Sequence, residues 1–114
     1  HRGLHGSRIL VIGVAYKADV SDARESPAIE IMNRLEDLGA RVAYHDPYVR
    51  SLGHGERIWY SRPLGRRWVR QHDLVLFLTN HSRLNRKLIA RSAKLIFDTR
   101  NALNMFRQSN IVKL

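Results

Sequence analysis

The segment from Arg8 to Pro27 reads Arg-Ile-Leu-Val-Ile-Gly-Val-Ala-Tyr-Lys-Ala-Asp-Val-Ser-Asp-Ala-Arg-Glu-Ser-Pro, and it decides the fold. Its Ile9–Ile12 part is an uncharged, β-branched run that ends at Gly13, which is typical of a strand buried on both faces of a parallel sheet. The polar loop that follows leads to Ser26-Pro27, residue types that favour an N-cap and a first helical position. A loop between such a strand and such a helix lies at the carboxyl edge of the sheet, where open α/β sheets bind their ligands.

Alternating strands and helices continue along the rest of the chain. Residues 27–38 carry apolar side chains at three- and four-residue spacing, which predicts a helix that Gly39 ends. The members of this apolar stripe are Ala28, Ile31, Met32, Leu35 and Leu38. Apolar patterns also predict strands at 41–45, 57–60, 74–79, 94–97 and 110–112, and helices at 63–71 and 82–91. The short connections predict an α/β fold with three layers, α/β/α, around a doubly wound, mainly parallel sheet.

Length and composition indicate a single domain. The 114 residues suffice for one core but not for two. We expect residues 1–7 to form a linker or a frayed terminus and residues 8–114 to form the folded domain. No apolar run approaches the roughly 20 residues of a membrane helix, and no amino-terminal stretch resembles a signal peptide. A cytoplasmic location is therefore expected.

Residue types and spacings exclude several kinds of site. The sequence contains no cysteine, which excludes disulfides, thiolate zinc sites and cysteine nucleophiles. The histidines show no metal-binding spacing, so no metal site is expected. A dinucleotide fingerprint needs Gly-x-Gly-x-x-Gly after the first strand, whereas the next glycine after Gly13 is Gly39. The predicted fold is Rossmann-like without the glycine fingerprint, and the chain is not a standalone nicotinamide-binding domain.

The predicted strands that end at Gly13, Asp46 and Asp98 each lead into polar residues. Because the carboxyl ends of parallel strands meet at one edge of a sheet, these polar residues are expected to lie near one another. Lys17, in the first of these loops, can reach a phosphate or sugar oxygen, or it is simply solvated. Arg100 lies just after the predicted strand at 94–97. Its guanidinium group can donate two hydrogen bonds to a ligand oxygen, or it pairs with Asp98.

Four other charged residues near this edge have two interpretations each. Arg24 precedes the helix start, where backbone amides favour anions, or it pairs with a nearby carboxylate. Asp19 and Asp22 can act as acid and base, although turn and capping roles are commoner for aspartate in such loops. Asp46 stands where nucleotide-binding sheets place a ribose-binding carboxylate, and it can equally initiate an Asp-Pro turn.

A basic segment contributes much of the net charge of +10. Between residues 47 and 72 a single acid, Glu56, stands against Arg50, Arg57, Arg62, Arg66, Arg67 and Arg70. Such a run is usually a solvated face, and its alternative is a phosphate-contacting patch. Because Trp59, Tyr60 and Trp68 lie among these arginines, a nucleic-acid-binding module that uses the 50–70 segment is the alternative function, although packing of the rings on the sheet is expected.

Four short motifs resemble those of a known family. They are Gly13-Val-Ala-Tyr-Lys17, then Asp19, Asp22, Arg24 and Ser26-Pro27, then Tyr44-His-Asp-Pro47, and finally Phe97-Asp-Thr-Arg-Asn101. Over residues 7–103 the chain resembles the carboxyl-terminal domain of the UDP-glucose and GDP-mannose dehydrogenases. The ending Asp98-Thr-Arg-Asn-Ala-Leu103 is more similar to the UDP-N-acetylglucosamine and N-acetylmannosamine 6-dehydrogenases than to the glucose enzymes.

This resemblance implies a UDP-sugar-binding domain of an NAD-dependent enzyme. Such enzymes oxidise the sugar 6-hydroxyl to a carboxylate in two steps, through a thiohemiacetal and a thioester on a cysteine. The resulting UDP-uronic acids serve polysaccharide biosynthesis. The resemblance also implies an amino-terminal NAD-binding domain and a central dimerisation segment, both absent from this chain, and a homo-oligomer in the full enzyme.

Residue by residue, the resemblance implies that Lys17 and Arg100 contact the UDP-sugar, with Tyr16 beside the nucleotide. Arg24 would reach across the interdomain cleft towards the NAD pyrophosphate. No catalytic residue is expected in this chain, because the cysteine and the glycine fingerprint must lie outside it, and the isolated chain is expected to be inactive. Nucleic-acid and membrane partners are not expected. A domain used only for subunit contacts is the third hypothesis.

Overall fold

A computed structural model of the chain describes residues 5–23, 26–54 and 56–113. Its elements occur in the order β1 (Arg8–Ile12), α1 (Ala28–Asp37), β2 (Arg41–His45), β3 (Ser51–His54), β4 (Arg57–Tyr60), α2 (Arg66–Arg70), β5 (Leu74–Phe77), α3 (Arg86–Ser92), β6 (Ile96–Asp98) and β7 (Ile111–Lys113).

Five strands form one parallel sheet in the order β2-β1-β5-β6-β7. In register, Ile9 of β1 lies beside Val42 on one side and Leu74 on the other. The chain therefore runs outward from β1 in one direction to β2 and in the other direction from β5 to β7. This is a doubly wound sheet, as predicted, and its order reverses between β1 and β5.

Helices cover both faces of the sheet, which gives the predicted three layers. Alternate residues of β1 point to opposite faces. Ile9 and Val11 belong to the core beneath α1, which includes Met32. Leu10 and Ile12 belong to the core beneath α2 and α3. Because Ile9–Ile12 is buried on both faces of the sheet, this part of β1 needs the uncharged sequence that identifies it.

The first helix is one residue shorter at each end than predicted. Pro27 is its N-cap, and the Ser26 hydroxyl accepts a hydrogen bond from the Ala28 amide (3.1 Å). Gly39 ends the helix with φ +97°, as expected for a left-handed stop. The predicted stripe is wrong at Leu38, which is 62% exposed because it lies at the C-cap, beyond the last turn that packs on the sheet.

Several elements differ from the sequence prediction at their ends, and two differ in a way that the structure explains. The third helix begins after Asn85, whose side chain accepts from the Leu88 amide (3.2 Å), instead of at Ser82. The predicted strand at 57–60 is present as β4, but it pairs with β3 in a separate antiparallel hairpin. The strand β3 is not predicted from the sequence, because Ser51–His54 has no alternating apolar pattern.

The amino-terminal segment is described from residue 5. The Gly6 amide donates to the Gly39 carbonyl (2.9 Å), and the Arg41 amide donates to the Ser7 carbonyl (2.7 Å). Residues 1–4 lie outside the described part, so the division into a linker at 1–7 and a domain at 8–114 stays a proposal. Within the described residues, no helix combines the length and the apolar character needed to span a membrane.

Two histidines in this fold predict how stability depends on pH. Burial lowers the pKa of His72, although its Nδ1–H donates to the Trp68 carbonyl (2.9 Å), and burial likewise lowers the pKa of His45. Below the ordinary value of 6.5 the unfolded chain takes up protons that the folded chain does not. The free energy of unfolding is therefore expected to fall as the pH drops below 6.5 and to level off below the lowered pKa values.

Urea unfolding from about pH 8 to about pH 5 measures this loss. The His72→Gln chain is the control, because its side chain does not titrate and its curve should slope less. A wild-type stability that rises as the pH falls through this window contradicts the prediction.

Candidate functional site

A cleft of about 330 Å³ lies at the carboxyl edge of the sheet, between the loops that follow β1 and β5. One further residue comes from the loop after β6. The residues that line the cleft are Tyr16, Lys17, Ala18, Leu78, Thr79, Asn80 and Arg100. This is the point where the strand order reverses, which is the usual binding position in doubly wound sheets.

The base of the cleft is set by the close approach of two strand ends. Gly13 has φ +82°, and a Cβ atom there would lie 2.4 Å from the Thr79 carbonyl oxygen. Only glycine fits this position, because both the backbone angle and the space exclude a side chain. The Thr79 hydroxyl then donates to the Ala15 carbonyl (3.0 Å), which ties the two loops together.

The first loop presents two exposed side chains to the cleft. Tyr16 is 52% exposed, and its amide donates to the Asp22 carbonyl (2.6 Å), which closes the loop behind it. Lys17 is exposed, and within the described part of the chain its ammonium group makes no hydrogen bond or ion pair. Its charge is thus available to a ligand in the cleft.

Arg100 lies across the cleft from this loop. Its Nε–H donates to the Leu78 carbonyl (2.8 Å), and its terminal nitrogens make no hydrogen bond with the described residues. The alternative of a pair with Asp98 is wrong, because that carboxylate accepts from the amides of Arg100, Ala102 and Leu103 at 2.9–3.1 Å. Asp98 therefore shapes the turn that carries Arg100, and the guanidinium keeps a free edge towards the cleft.

Asp46 is a structural residue. It is 3% exposed. One carboxylate oxygen accepts from the Val14 amide and contacts the His81 ring, and the other accepts from the amides of Tyr48 and Val49. The structure therefore favours the turn interpretation over the ribose-binding one, since both oxygens of this buried carboxylate are engaged by hydrogen bonds within the domain.

Asp19 also has a structural role. Its carboxylate accepts hydrogen bonds from the hydroxyl and the amide of Ser82. These two bonds, the hydroxyl first, hold the pKa of Asp19 below its ordinary value. An ionised carboxylate that is committed to the neighbouring loop is unsuited to proton transfer. Asp22 lines a different hollow, beside α1 and β3.

The cofactor-binding residue implied by the family resemblance, Arg24, lies outside the described residues, as does its neighbour at 25. Among the described residues, no group of three His, Cys, Asp or Glu side chains is arranged to hold a metal ion.

The basic segment does not form one surface. Arg57 pairs with Glu36 on α1 (2.6 Å) and lies 4.1 Å from the centre of the Trp59 ring. Trp59 itself is 5% exposed, so it packs in the core and offers no ring for base stacking. Three other arginines of the segment, Arg66, Arg67 and Arg70, lie on α2. They line a shallow hollow together with Arg91 of α3.

Sequence reasoning brought Tyr16, Lys17 and Arg100 to this edge, and the structure places all three on one cleft. It missed Thr79 and Asn80 and the buried His81 beside them. The signal was available, because these residues directly follow the uncharged run of β5, just as the polar residues after β1 and β6 do.

Comparisons with known proteins give the family. The family model described as "UDP-glucose/GDP-mannose dehydrogenase family, UDP binding domain" matches residues 10–105. The UDP-N-acetyl-D-mannosamine dehydrogenase of Methanocaldococcus jannaschii is 32% identical in an alignment of 105 positions that covers 85% of this chain and 23% of that protein. The UDP-glucose 6-dehydrogenase of Rhizobium meliloti is 46% identical over 44 residues, 39% of this chain and 10% of that one.

Among solved structures, the NDP-N-acetyl-D-galactosaminuronic acid dehydrogenase of Methanosarcina mazei superimposes with a TM-score of 0.71 at 26% identity, over 98% of this chain and 25% of that chain. The chain thus spans about a quarter or less of the length of the relatives that it matches. The comparisons lend no support to the nucleic-acid alternative.

Proposed function

This chain belongs to the UDP-glucose/GDP-mannose dehydrogenase family, as its UDP binding domain, and on that basis we propose that the β1/β5 cleft holds the UDP group of a nucleotide sugar. The observation that carries this proposal is the presence of Lys17 and Arg100 on the walls of one cleft at the switch point of the sheet. In the full enzyme the sugar would extend from this cleft towards an absent amino-terminal domain that binds NAD. The reaction would be the NAD-dependent oxidation of the sugar 6-hydroxyl to a carboxylate.

The two cations suit a diphosphate in different ways. Lys17 supplies a compact, mobile charge with three donors. Arg100 is held through its Nε–H on the Leu78 carbonyl, so its terminal nitrogens are oriented before the ligand arrives. A donor that is oriented in advance loses less conformational entropy on binding. Tyr16, exposed beside Lys17, is available to pack against the nucleotide.

The role of this chain in the reaction is to hold and orient the substrate. Binding the UDP group far from the reacting carbon fixes the position of the sugar for hydride transfer. The sequence has no cysteine to act as the family's nucleophile, so we propose that the isolated chain binds UDP without oxidising UDP-sugars. Arg24 is proposed to face the NAD pyrophosphate across the interdomain cleft.

Titration of this chain with UDP, followed by two-dimensional NMR, tests the proposal. The largest shift changes are expected at the amides of Lys17, Thr79 and Arg100, because all three residues line the cleft. Uridine, which lacks the phosphates, should bind much more weakly, since the two cations would have no charged partner.

The same titration separates the alternatives. A domain used only for subunit contacts predicts no change at these amides. A nucleic-acid-binding module predicts that an oligonucleotide shifts the arginines of α2, with an affinity that falls steeply as salt is added. Either pattern, without a response of the cleft to UDP, would contradict the proposed function.

A further inference from the structure

A completely buried histidine fastens the loop that carries Lys17. His81 is 0% exposed, and both of its ring nitrogens are hydrogen-bonded. The Asp19 amide donates to Nδ1 (2.8 Å), and Nε2 lies 2.8 Å from a carboxylate oxygen of Asp46. A backbone amide can only donate, so Nδ1 must be the nitrogen without a proton, and Nε2–H donates to Asp46. The imidazole is therefore neutral, in a single tautomer.

The Asp46 end of this chain of bonds is rigid. Its carboxylate also accepts from the Val14 amide (2.8 Å) in the first turn of the loop and from the Tyr48 and Val49 amides beyond β2. With both oxygens engaged in this way, the carboxylate cannot follow a moving histidine. The bond to Asp46 thus keeps the proton of His81 on Nε2 and leaves Nδ1 free to accept a hydrogen bond.

The other nitrogen holds Asp19, two residues after Lys17. Asp19 has φ +62°, a left-handed backbone that costs free energy for a residue with a side chain. Its carboxylate is bound by the amide and hydroxyl of Ser82, so three bonds join Asp19 to residues 81 and 82. These bonds hold the wall of the cleft at residues 16–18 against the wall at residues 78–80.

The second wall is itself held by an arginine. Arg86 of α3 donates through Nε and Nη2 to the Asn80 side-chain oxygen (2.9 and 2.6 Å) and through Nη2 to the His81 carbonyl (2.5 Å). His81 therefore sits in a fixed backbone, and its ring orientation is determined on both sides.

We propose that His81 is a positioning residue for UDP binding. Its unprotonated Nδ1 accepts a hydrogen bond from the Asp19 amide and so keeps Lys17 at the cleft. This inference rests on the proposed function of the cleft. Without that bond the loop would spend most of its time in conformations that do not present Lys17. The apparent affinity falls in proportion to the competent fraction, and we expect about a tenfold loss.

Two substitutions of His81 separate its two bonds. In His81→Asn the side-chain oxygen stands near the position of Nδ1 and can accept from the Asp19 amide, but the side chain is too short to reach Asp46. In His81→Gln the longer amide can donate to Asp46, but it offers no acceptor at the Nδ1 position. The asparagine chain should keep UDP affinity near the wild-type value, and the glutamine chain should lose about tenfold.

Hydrogen exchange of the Asp19 amide, thermal unfolding and UDP titration are measured on wild type and both variants. Exchange at Asp19 should be faster in His81→Gln than in His81→Asn. The inference is overturned if affinity follows the melting temperatures and not the Asp19 exchange, or if His81→Gln binds UDP as tightly as wild type. The ¹⁵N NMR spectrum of the His81 ring in the wild-type chain is a check that does not depend on whether the variants fold. A proton on Nδ1 would also overturn the inference.

These outcomes distinguish the inference from the function on which it rests. If the wild-type chain does not bind UDP, the proposed function fails, and the assignment of His81 to that function fails with it. If the wild-type chain binds UDP through Lys17 and Arg100 but the two His81 variants bind equally well, only the positioning role is wrong.

Discussion

The double variant Lys17→Ala, Arg100→Ala is expected to bind UDP at least about two orders of magnitude more weakly than the wild-type chain. Each cation would donate charge-assisted hydrogen bonds to the diphosphate, and a hydrogen bond to a charged group contributes roughly 1.5–3 kcal/mol. A factor of ten in affinity corresponds to about 1.4 kcal/mol, so the loss of both residues exceeds a hundredfold if they act independently. Isothermal titration calorimetry measures the two dissociation constants.

The matched control is the double variant Arg91→Ala, Lys94→Ala, which removes the same charge at the opposite edge of the sheet. Residue 94 lies between the end of α3 and the start of β6, at the amino edge of the sheet. Because Arg100→Ala also removes the donor to the Leu78 carbonyl, thermal unfolding must show that both double variants stay folded. Equal dissociation constants for the two double variants would rule out the cleft as the diphosphate site and leave only a general effect of charge.

The largest loss of stability is expected from Asp46→Asn, about 3 kcal/mol in the free energy of unfolding. The carboxylate accepts four hydrogen bonds in a buried position, from three backbone amides and from His81. A carboxamide has only one oxygen, so whichever way it is turned its NH₂ group faces two donors. Buried donors left without an acceptor lose their solvation and gain nothing in return.

Asp73→Asn is the matched control, since it makes the same chemical change at an exposed carboxylate that accepts from the Arg8 amide (2.8 Å). Its cost should stay below about 1 kcal/mol, because water can replace an exposed bond. Urea unfolding of the three chains at neutral pH gives both differences. Similar losses in the two variants would show that the buried network around Asp46 contributes no more than an ordinary surface bond.

The parts of the fold that the sequence predicts well are those determined locally. The bounds of β2 agree with the prediction, and β1 and α1 agree within one residue at each end, because Ile9–Ile12 has no charge and Gly39 supplies a definite stop. The hairpin strand β3 could not be predicted, since Ser51–His54 has no pattern of its own and is a strand only because β4 pairs with it. Its pairing depends on tertiary context that no local rule describes.

The candidate site divides in the same way. The position of Lys17 and Arg100 follows from the rule that parallel strands end at one edge, and it needs no side-chain geometry. Whether Arg100 would pair with Asp98 could not be decided from the sequence, because both residues are close enough along the chain. In the structure the Asp98 carboxylate accepts hydrogen bonds from three backbone amides and does not pair with the Arg100 guanidinium. No pattern of residue types reveals these bonds.

The central position of β1 has a consequence for how this domain is made. On the β5 side its neighbour in the sheet comes late, because Arg8 and Asp73, which close that end of the pair, are 65 positions apart. At a translation rate of roughly 5–20 residues per second, a ribosome would expose this largely apolar strand for several seconds before β5 exists. During that interval the edge of β1 that pairs with β5 is exposed and unpaired in the nascent domain. The yield of folded domain in cells should therefore depend on chaperones that bind hydrophobic segments.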